Sequence, residues 1–157
     1  MIHAVGRMKA GPEQMLVERY TGRLSKAGPA VGIDWARTSE IGESRAQTAP
    51  LRKREEAEKL HALIDKGAVL ILFDERGKAL GSQDFAALIC RLRDDGTQTL
   101  VAAIGGPDGH DESLRPRATH VLSFGAMTWP HQIARILLAE QFYRAVMILA
   151  GHPYHRD

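Results

Sequence analysis

Residues 68–77 read Ala68-Val69-Leu70-Ile71-Leu72-Phe73-Asp74-Glu75-Arg76-Gly77, an unbroken apolar run that stops at three charges and a glycine. A strand with one face in water alternates apolar and polar residues. A run that is apolar at every position belongs in a sheet covered on both sides, the usual environment of parallel strands. The stretch therefore predicts a central strand over 68–73 and a break at 74–77. Both flanks carry a helical period. Upstream, Leu51 to Lys66 are good helix formers, with Ala57, Leu60 and Ile64 on one face and Gly67 closing the segment. Downstream, Ser82 is placed to cap a helix that carries Phe85, Leu88, Ile89 and Leu92 on one stripe, and Gly96 follows its end.

The alternation continues towards both ends. Residues 2–6 form a short apolar strand ending at Gly6, and Pro12 opens a helix with Leu16, Tyr20 and Leu24 on its buried stripe as far as Gly28-Pro29. Val31, Ile33 and Trp35 alternate with Gly32 and Asp34 and read as a strand exposed on one side. Residues 36–50, rich in Arg, Ser, Thr, Glu and Gly, read as a mobile loop. Thr99–Ile104 and Thr119–Phe124 are further strands. A last helix begins near Pro130 and is apolar on more than one face from His131 to Leu149, which predicts burial against both its own sheet and a partner subunit. The expected fold class is α/β: a mostly parallel sheet with helices on both faces, forming one domain over residues 1–157.

Composition narrows the function classes. Of 157 residues, 44% are hydrophobic and 25% charged, an ordinary globular balance. A net charge of +2 is too mild to argue for nucleic acid by itself. Cys90 is the single cysteine, so no disulfide framework exists and a reducing cytoplasm is expected. No signal peptide or membrane span is expected either. The spaced glycines of a dinucleotide fold, the phosphate-loop lysine, a GxSxG elbow and an HExxH helix are all missing from the sequence. His131, His152 and His155 lack a regular ligand spacing, so no metal is expected.

In parallel sheets, ligands sit beyond the carboxyl ends of the strands. Three such ends carry suggestive loops: 72–77, 104–109 (Ile104-Gly105-Gly106-Pro107-Asp108-Gly109) and 123–131 (Ser123 to His131). A glycine-rich turn is ordinary by itself, but three at strand ends point to a ligand, and the missing phosphate motifs favour a nucleoside. Phe73, Met127 and Trp129 could flank its ring while backbone near Gly105, Gly106 and Met127 reads its polar edge. The tail, His152-Pro153-Tyr154-His155-Arg156-Asp157, places a stacking ring beside a cation, a common way to hold an unpaired base and its phosphate.

Several stretches taken together carry a family resemblance. They are Phe73-Asp74-Glu75-Arg76-Gly77-Lys78 leading to Ser82 and Phe85-Ala86, Ile104 to Gly109, Met127-Thr128-Trp129-Pro130-His131-Gln132-Ile133-Ala134-Arg135, Glu140 to Ala145, and Pro153 to Arg156. The chain resembles the small SPOUT-class ribosomal RNA methyltransferases of the large subunit methyltransferase H family. The likeness extends over the whole length, including Val5-Gly6, and is loose over 30–60. The resemblance implies a C-terminal trefoil knot, a homodimer, S-adenosyl-L-methionine as cofactor, and methylation at N3 of a pseudouridine in 23S rRNA on assembled ribosomes. It carries the cofactor pocket to Leu72, Phe73, Gly105, Gly106, Gly125, Ala126, Met127, Thr128, Trp129, Pro130 and His131. Substrate RNA and catalysis fall to Arg144, Tyr154, His155 and Arg156. Trp129 departs from the smaller aliphatic residue usual there, and Arg156-Asp157 replaces a lysine ending. In the implied reaction Arg156 or Arg144 would stabilise the deprotonated base, and His155 or His131 would accept its proton. The competing class is a non-enzymatic ribosome- or RNA-binding module on the same fold, which would not bind the cofactor.

Overall fold

The computed structural model describes residues 1–154. Five strands, β1 (Ile2–Val5), β2 (Thr38–Ile41), β3 (Val69–Ala79), β4 (Leu100–Ile104) and β5 (His120–Ser123), alternate with four helices, α1 (Pro12–Ala27), α2 (Ala49–Leu63), α3 (Ser82–Asp94) and α4 (His131–Leu149). The strands pair in the order β2-β1-β4-β3-β5, and every pairing is parallel. Side chains alternate across the sheet and build a core on each face. Ile2, Ala4, Ile71, Ala102 and Ile104 pack with α1, α3 and α4, whereas Leu70, Leu72, Val101 and Ala103 meet Ala57 and Leu60 of α2 and Leu114 of the short 3-10 turn Glu112–Arg117. Helices thus cover both faces, as the apolar run requires.

Several expectations change. The central strand is β4; β3 lies beside it, flanked by β4 and β5. Nor does β3 stop at Phe73: Phe73 and Lys78 both pair with Leu122, so residues 74–77 form a bulge inside the strand. Gly77 makes that crossing possible, since a Cβ there would sit 2.4 Å from the Leu122 carbonyl carbon. The strand expected over Val31–Trp35 is a 3-10 turn, Gly28–Val31, followed by irregular chain. The expected loop 36–50 instead contains β2, a polar edge strand whose backbone bonds go to β1 alone, which is why no apolar period announces it. In α1 the buried residues are Val17 and Leu24, with Leu16 only half-buried. Ser82 does not cap α3: Gly81 holds the cap position, and the Ser82 hydroxyl bonds to Gln141 Oε1 on α4 (2.9 Å). Part of the apolar surface of α4 is used within the chain, where the helix packs on the sheet with α1 and α3 as neighbours, while Ile133, Ile136, Leu137, Ile148 and Leu149 are only half-buried.

Candidate functional site

The carboxyl ends of β4 and β5 and the bulge within β3 open into one cleft of about 350 Å³. Phe73, Asp74 and Glu75 form one wall, Ile104 to His110 the second, and Ser123, Phe124, Gly125, Met127, Trp129, Pro130 and His131 the third. Backbone geometry produces this convergence: parallel strands all deliver their following loops to the same edge. Gly105 is obligatory in its loop, since a Cβ would lie 2.9 Å from the Gly109 carbonyl carbon. The loop closes on itself through the Gly109 N–H, which donates to the Gly106 carbonyl (2.9 Å). An adjoining cleft of about 320 Å³ shares Phe73, Ser123, Phe124, Gly125 and Trp129, and contains the Ser82–Gln141 bond. The Phe73 and Phe124 rings, stacked with centroids 4.8 Å apart, belong to both clefts.

Of the expected pocket residues, Phe73, Gly105, Gly106, Gly125, Met127, Trp129, Pro130 and His131 line the first cleft. Ala126 and Thr128 lie in the same loop and are exposed. Leu72 does not line it. Its side chain is 1% exposed and packs in the α2-side core, because neighbours on a strand point to opposite faces. Met127 and Trp129 are 73% and 42% exposed at the rim, large apolar groups in a position to cover a ligand.

Charges around the cleft are largely committed to one another. The Asp74 carboxylate accepts from Arg76 Nε (3.2 Å) and Arg115 Nη2 (3.3 Å). Burial alone would raise its pKa, yet these arginines hold it below the ordinary carboxylate value, so Asp74 is no proton acceptor near neutrality. Asp108 forms a two-pronged bond with Arg52 of α2 (2.7 and 3.1 Å). His110 is buried, its Nε2–H donating to the Phe73 carbonyl (3.2 Å), and burial pushes its pKa down. None of these is among the site residues the sequence predicts, nor are the buried Glu56 and Arg135. A signal existed for the last two: each is a charge on an otherwise apolar helix stripe, Glu56 beside Ala57 and Leu60, Arg135 beside Ala134 and Leu138.

The expected catalytic group forms a separate cluster. Arg144 Nε and Nη2 both donate to Glu140 Oε1 (3.0 and 2.7 Å), and the Tyr154 hydroxyl donates to the same oxygen (3.2 Å). Arg144 also lies over the Tyr154 ring, 5.1 Å from its centroid. Burial, followed by the charge of Glu140, pushes the Tyr154 phenol up to about 12, so it remains protonated. His155 and Arg156 lie outside the described residues. Arg144 lies thirteen residue steps along α4 from His131 at the cleft, about 20 Å along the helix axis at 1.5 Å per step. The fold of one chain therefore sets this cluster apart from the cleft.

His3 on β1 gives a pH test of the buried polar layer. It is 1% exposed, its Nδ1 is 3.4 Å from Ser39 Oγ, and its Nε2 has no partner among the described residues. Burial lowers its pKa from 6.5 to about 4, assisted by His110 and Arg135. The contribution of neutral His3 to stability is complete above pH 6.5. Between 6.5 and 4 the unfolded chain takes up a proton that the folded one refuses, so stability falls with pH by on the order of 2–3 kcal/mol. Urea unfolding from pH 7 to 4 should show this slope, and His3→Gln should flatten it. An unchanged slope in the variant would assign the loss elsewhere.

No helix among the described residues is long and apolar enough to cross a membrane, and no group of three or more His, Cys, Asp or Glu among them is placed to hold a metal ion. Comparison with known proteins adds the family. Residues 1–155 match the model described as "Predicted SPOUT methyltransferase". The chain is 67% identical over 156 residues to the ribosomal RNA large subunit methyltransferase H of Brucella anthropi, covering 99% of this chain and 98% of that one. It is 62% identical over 165 residues to the protein of the same name from Brucella ovis, with the same coverage. The solved SpoU methyltransferase AviRb of Streptomyces viridochromogenes, in complex with the cofactor AdoMet, is far more distant: TM-score 0.41 and 16% identity over 97% of this chain and 58% of that one, too remote to carry an argument. A family match over nearly the whole length, with relatives this similar, means that the chain belongs to the SPOUT methyltransferase family.

Proposed function

We propose that this protein transfers a methyl group from S-adenosylmethionine to large-subunit ribosomal RNA, at N3 of a pseudouridine in 23S rRNA on the assembled ribosome, and works in the cytoplasm. The observation that carries the reading is the convergence of two strand-end loops and the β3 bulge on one cleft with apolar ring walls, half-buried glycine backbone and no phosphate-binding motif. Those features suit a nucleoside without phosphates. The relatives named above are methyltransferases of large-subunit ribosomal RNA. When bound, the donor supplies a methyl carbon already activated by its sulfonium charge, so alignment is the protein's main task. Phe73, Phe124, Met127 and Trp129 would hold its ring, with backbone at Gly105, Gly106 and Gly125 in reach of its polar groups. The reading includes the C-terminal knot that the resemblance implies.

The separation between His131 and the Arg144–Tyr154 cluster leads us to place the active site between two copies of the chain, the tail of one completing the cleft of the other. Half-buried Ile133, Ile136, Leu137, Ile148 and Leu149 along α4 leave apolar surface for such a partner. Because Glu140 already neutralises Arg144, Arg156 is the better candidate for stabilising the deprotonated base, and Arg144 orients Tyr154. His155 or His131 would take the proton.

The test is calorimetric titration with S-adenosylhomocysteine together with methylation of purified ribosomes. Arg156→Ala should bind the cofactor like the wild type yet lose methyl transfer by about a hundredfold, the scale for removing one charge-stabilising donor. Mixed dimers of Arg156→Ala and Gly106→Trp copies should recover activity at one of their two sites. Full activity of Arg156→Ala would remove the tail from the chemistry. A folded wild type that binds no cofactor would leave the ribosome-binding module as the better reading.

A further inference from the structure

We infer that Glu56, a residue of α2 that does not line the donor cleft, is a positioning residue that sets the Gly105–Gly109 loop for methyl-donor binding. The inference rests on the donor reading of that cleft. Glu56 is 6% exposed, an expensive place for a carboxylate unless its oxygens have work to do. Oε1 accepts from the Ser44 N–H (2.8 Å). Oε2 faces the loop: a Cβ on Gly106 would come within 3.2 Å of it and within 3.0 Å of Val5 Cγ1. The carboxylate therefore fills the space that a side chain at position 106 would need. One turn earlier on the same helix, Arg52 grips Asp108 at the other end of the loop with two bonds, and its Nη1 donates to the Ala46 carbonyl (3.1 Å).

Helix α2 thus holds the loop at two points, Glu56 beneath Gly106 and Arg52 at Asp108. Through Ser44 and Ala46 it fixes the segment between β2 and α2 to the same frame. Five consecutive residues of that loop, Gly105 to Gly109, form one wall of the cleft. A loop containing three glycines has little stiffness of its own, so its shape must come from outside it. Glu56 supplies a fixed surface beneath Gly106, one of the three loop positions with no side chain to pack.

The test separates positioning from stability. In calorimetry with S-adenosylhomocysteine, Glu56→Ala should weaken binding about tenfold, whereas Glu56→Gln, which keeps the acceptor for Ser44 and the same shape, should stay within about threefold. In ribosome assays the donor KM of Glu56→Ala should rise while kcat at saturation stays within about twofold, since the loop binds the donor and moves no proton. Gly106→Ala should cost about tenfold in the wild type and about threefold in a Glu56→Ala background, where its methyl still meets Val5 Cγ1 but no longer the carboxylate. Should Glu56→Ala fail to fold, Glu56→Asp, with its carboxyl withdrawn by one methylene, carries the same comparison. Wild-type affinity in the folded Ala or Asp variant, or an equal cost of Gly106→Ala in both backgrounds, would overturn the inference. Absence of binding in the wild type would instead overturn the donor reading.

Discussion

Replacing Arg135 by methionine should lower the unfolding free energy by about 3–5 kcal/mol, the cost of breaking a buried charge arrangement from one side. Arg135 sits on α4 with 1% of its surface exposed. Its Nη1 meets Glu40 Oε1 of β2 at 2.6 Å, and its Nη2 donates to the carbonyls of Val5 (2.8 Å) and Gly6. One guanidinium thereby ties the C-terminal helix to the end of β1 and to the edge strand. Methionine fills similar volume but leaves those two carbonyls without this donor and Glu40 without its cation. Burial lowers the arginine pKa and Glu40 offsets this, yet a guanidinium remains charged at any ordinary pH. Folding stability is typically about 5–15 kcal/mol, so the loss is a large fraction of the whole. Denaturant unfolding at fixed protomer concentration measures it. Arg135→Lys should recover only part, because an ammonium can reach Glu40 but cannot span the carbonyls as the planar fork does. A loss under about 1 kcal/mol in Arg135→Met would show that the tie is dispensable.

Gly105→Val should weaken donor binding by about ten- to a hundredfold while leaving a folded protein. The Cβ alone would come within 2.9 Å of the Gly109 carbonyl carbon and 3.2 Å of the His110 nitrogen, and backbone cannot swing aside as a flexible side chain can. The loop must move outward, and it forms one wall of the cleft. Overpacking of this kind costs about 1–3 kcal/mol, and each 1.4 kcal/mol is a factor of ten in affinity. Titration with S-adenosylhomocysteine against a melting curve separates the two effects. A folded variant with wild-type affinity would show that the Gly105 loop does not shape the donor site.

The parts of the site legible in the sequence are those where backbone geometry leaves little choice. An apolar run over Val69–Phe73 has to lie inside a covered sheet, and parallel strands have to deliver their loops to one edge, so the glycines and rings of 104–109 and 123–131 meet there. The side chain of Leu72 takes the face opposite to that of Phe73, and position along a chain does not say which face a side chain takes. β2 stayed hidden because an edge strand is held by backbone bonds that leave no apolar signature.

The sequence by itself determined the α/β class, the parallel sheet, the strand ends that carry the cleft and the family, all of which follow from local period, turn residues and motif. Only the tertiary structure decided which charges are neutralised, what supports the glycine loop, and how far the Arg144–Tyr154 cluster stands from His131. The reason is physical: Asp74 meets Arg115, Arg52 meets Asp108 and Arg135 meets Gly6 across 41, 56 and 129 residues of chain. Partners so distant in sequence leave no local pattern, and each bond exists only because the folded sheet brings its two ends together.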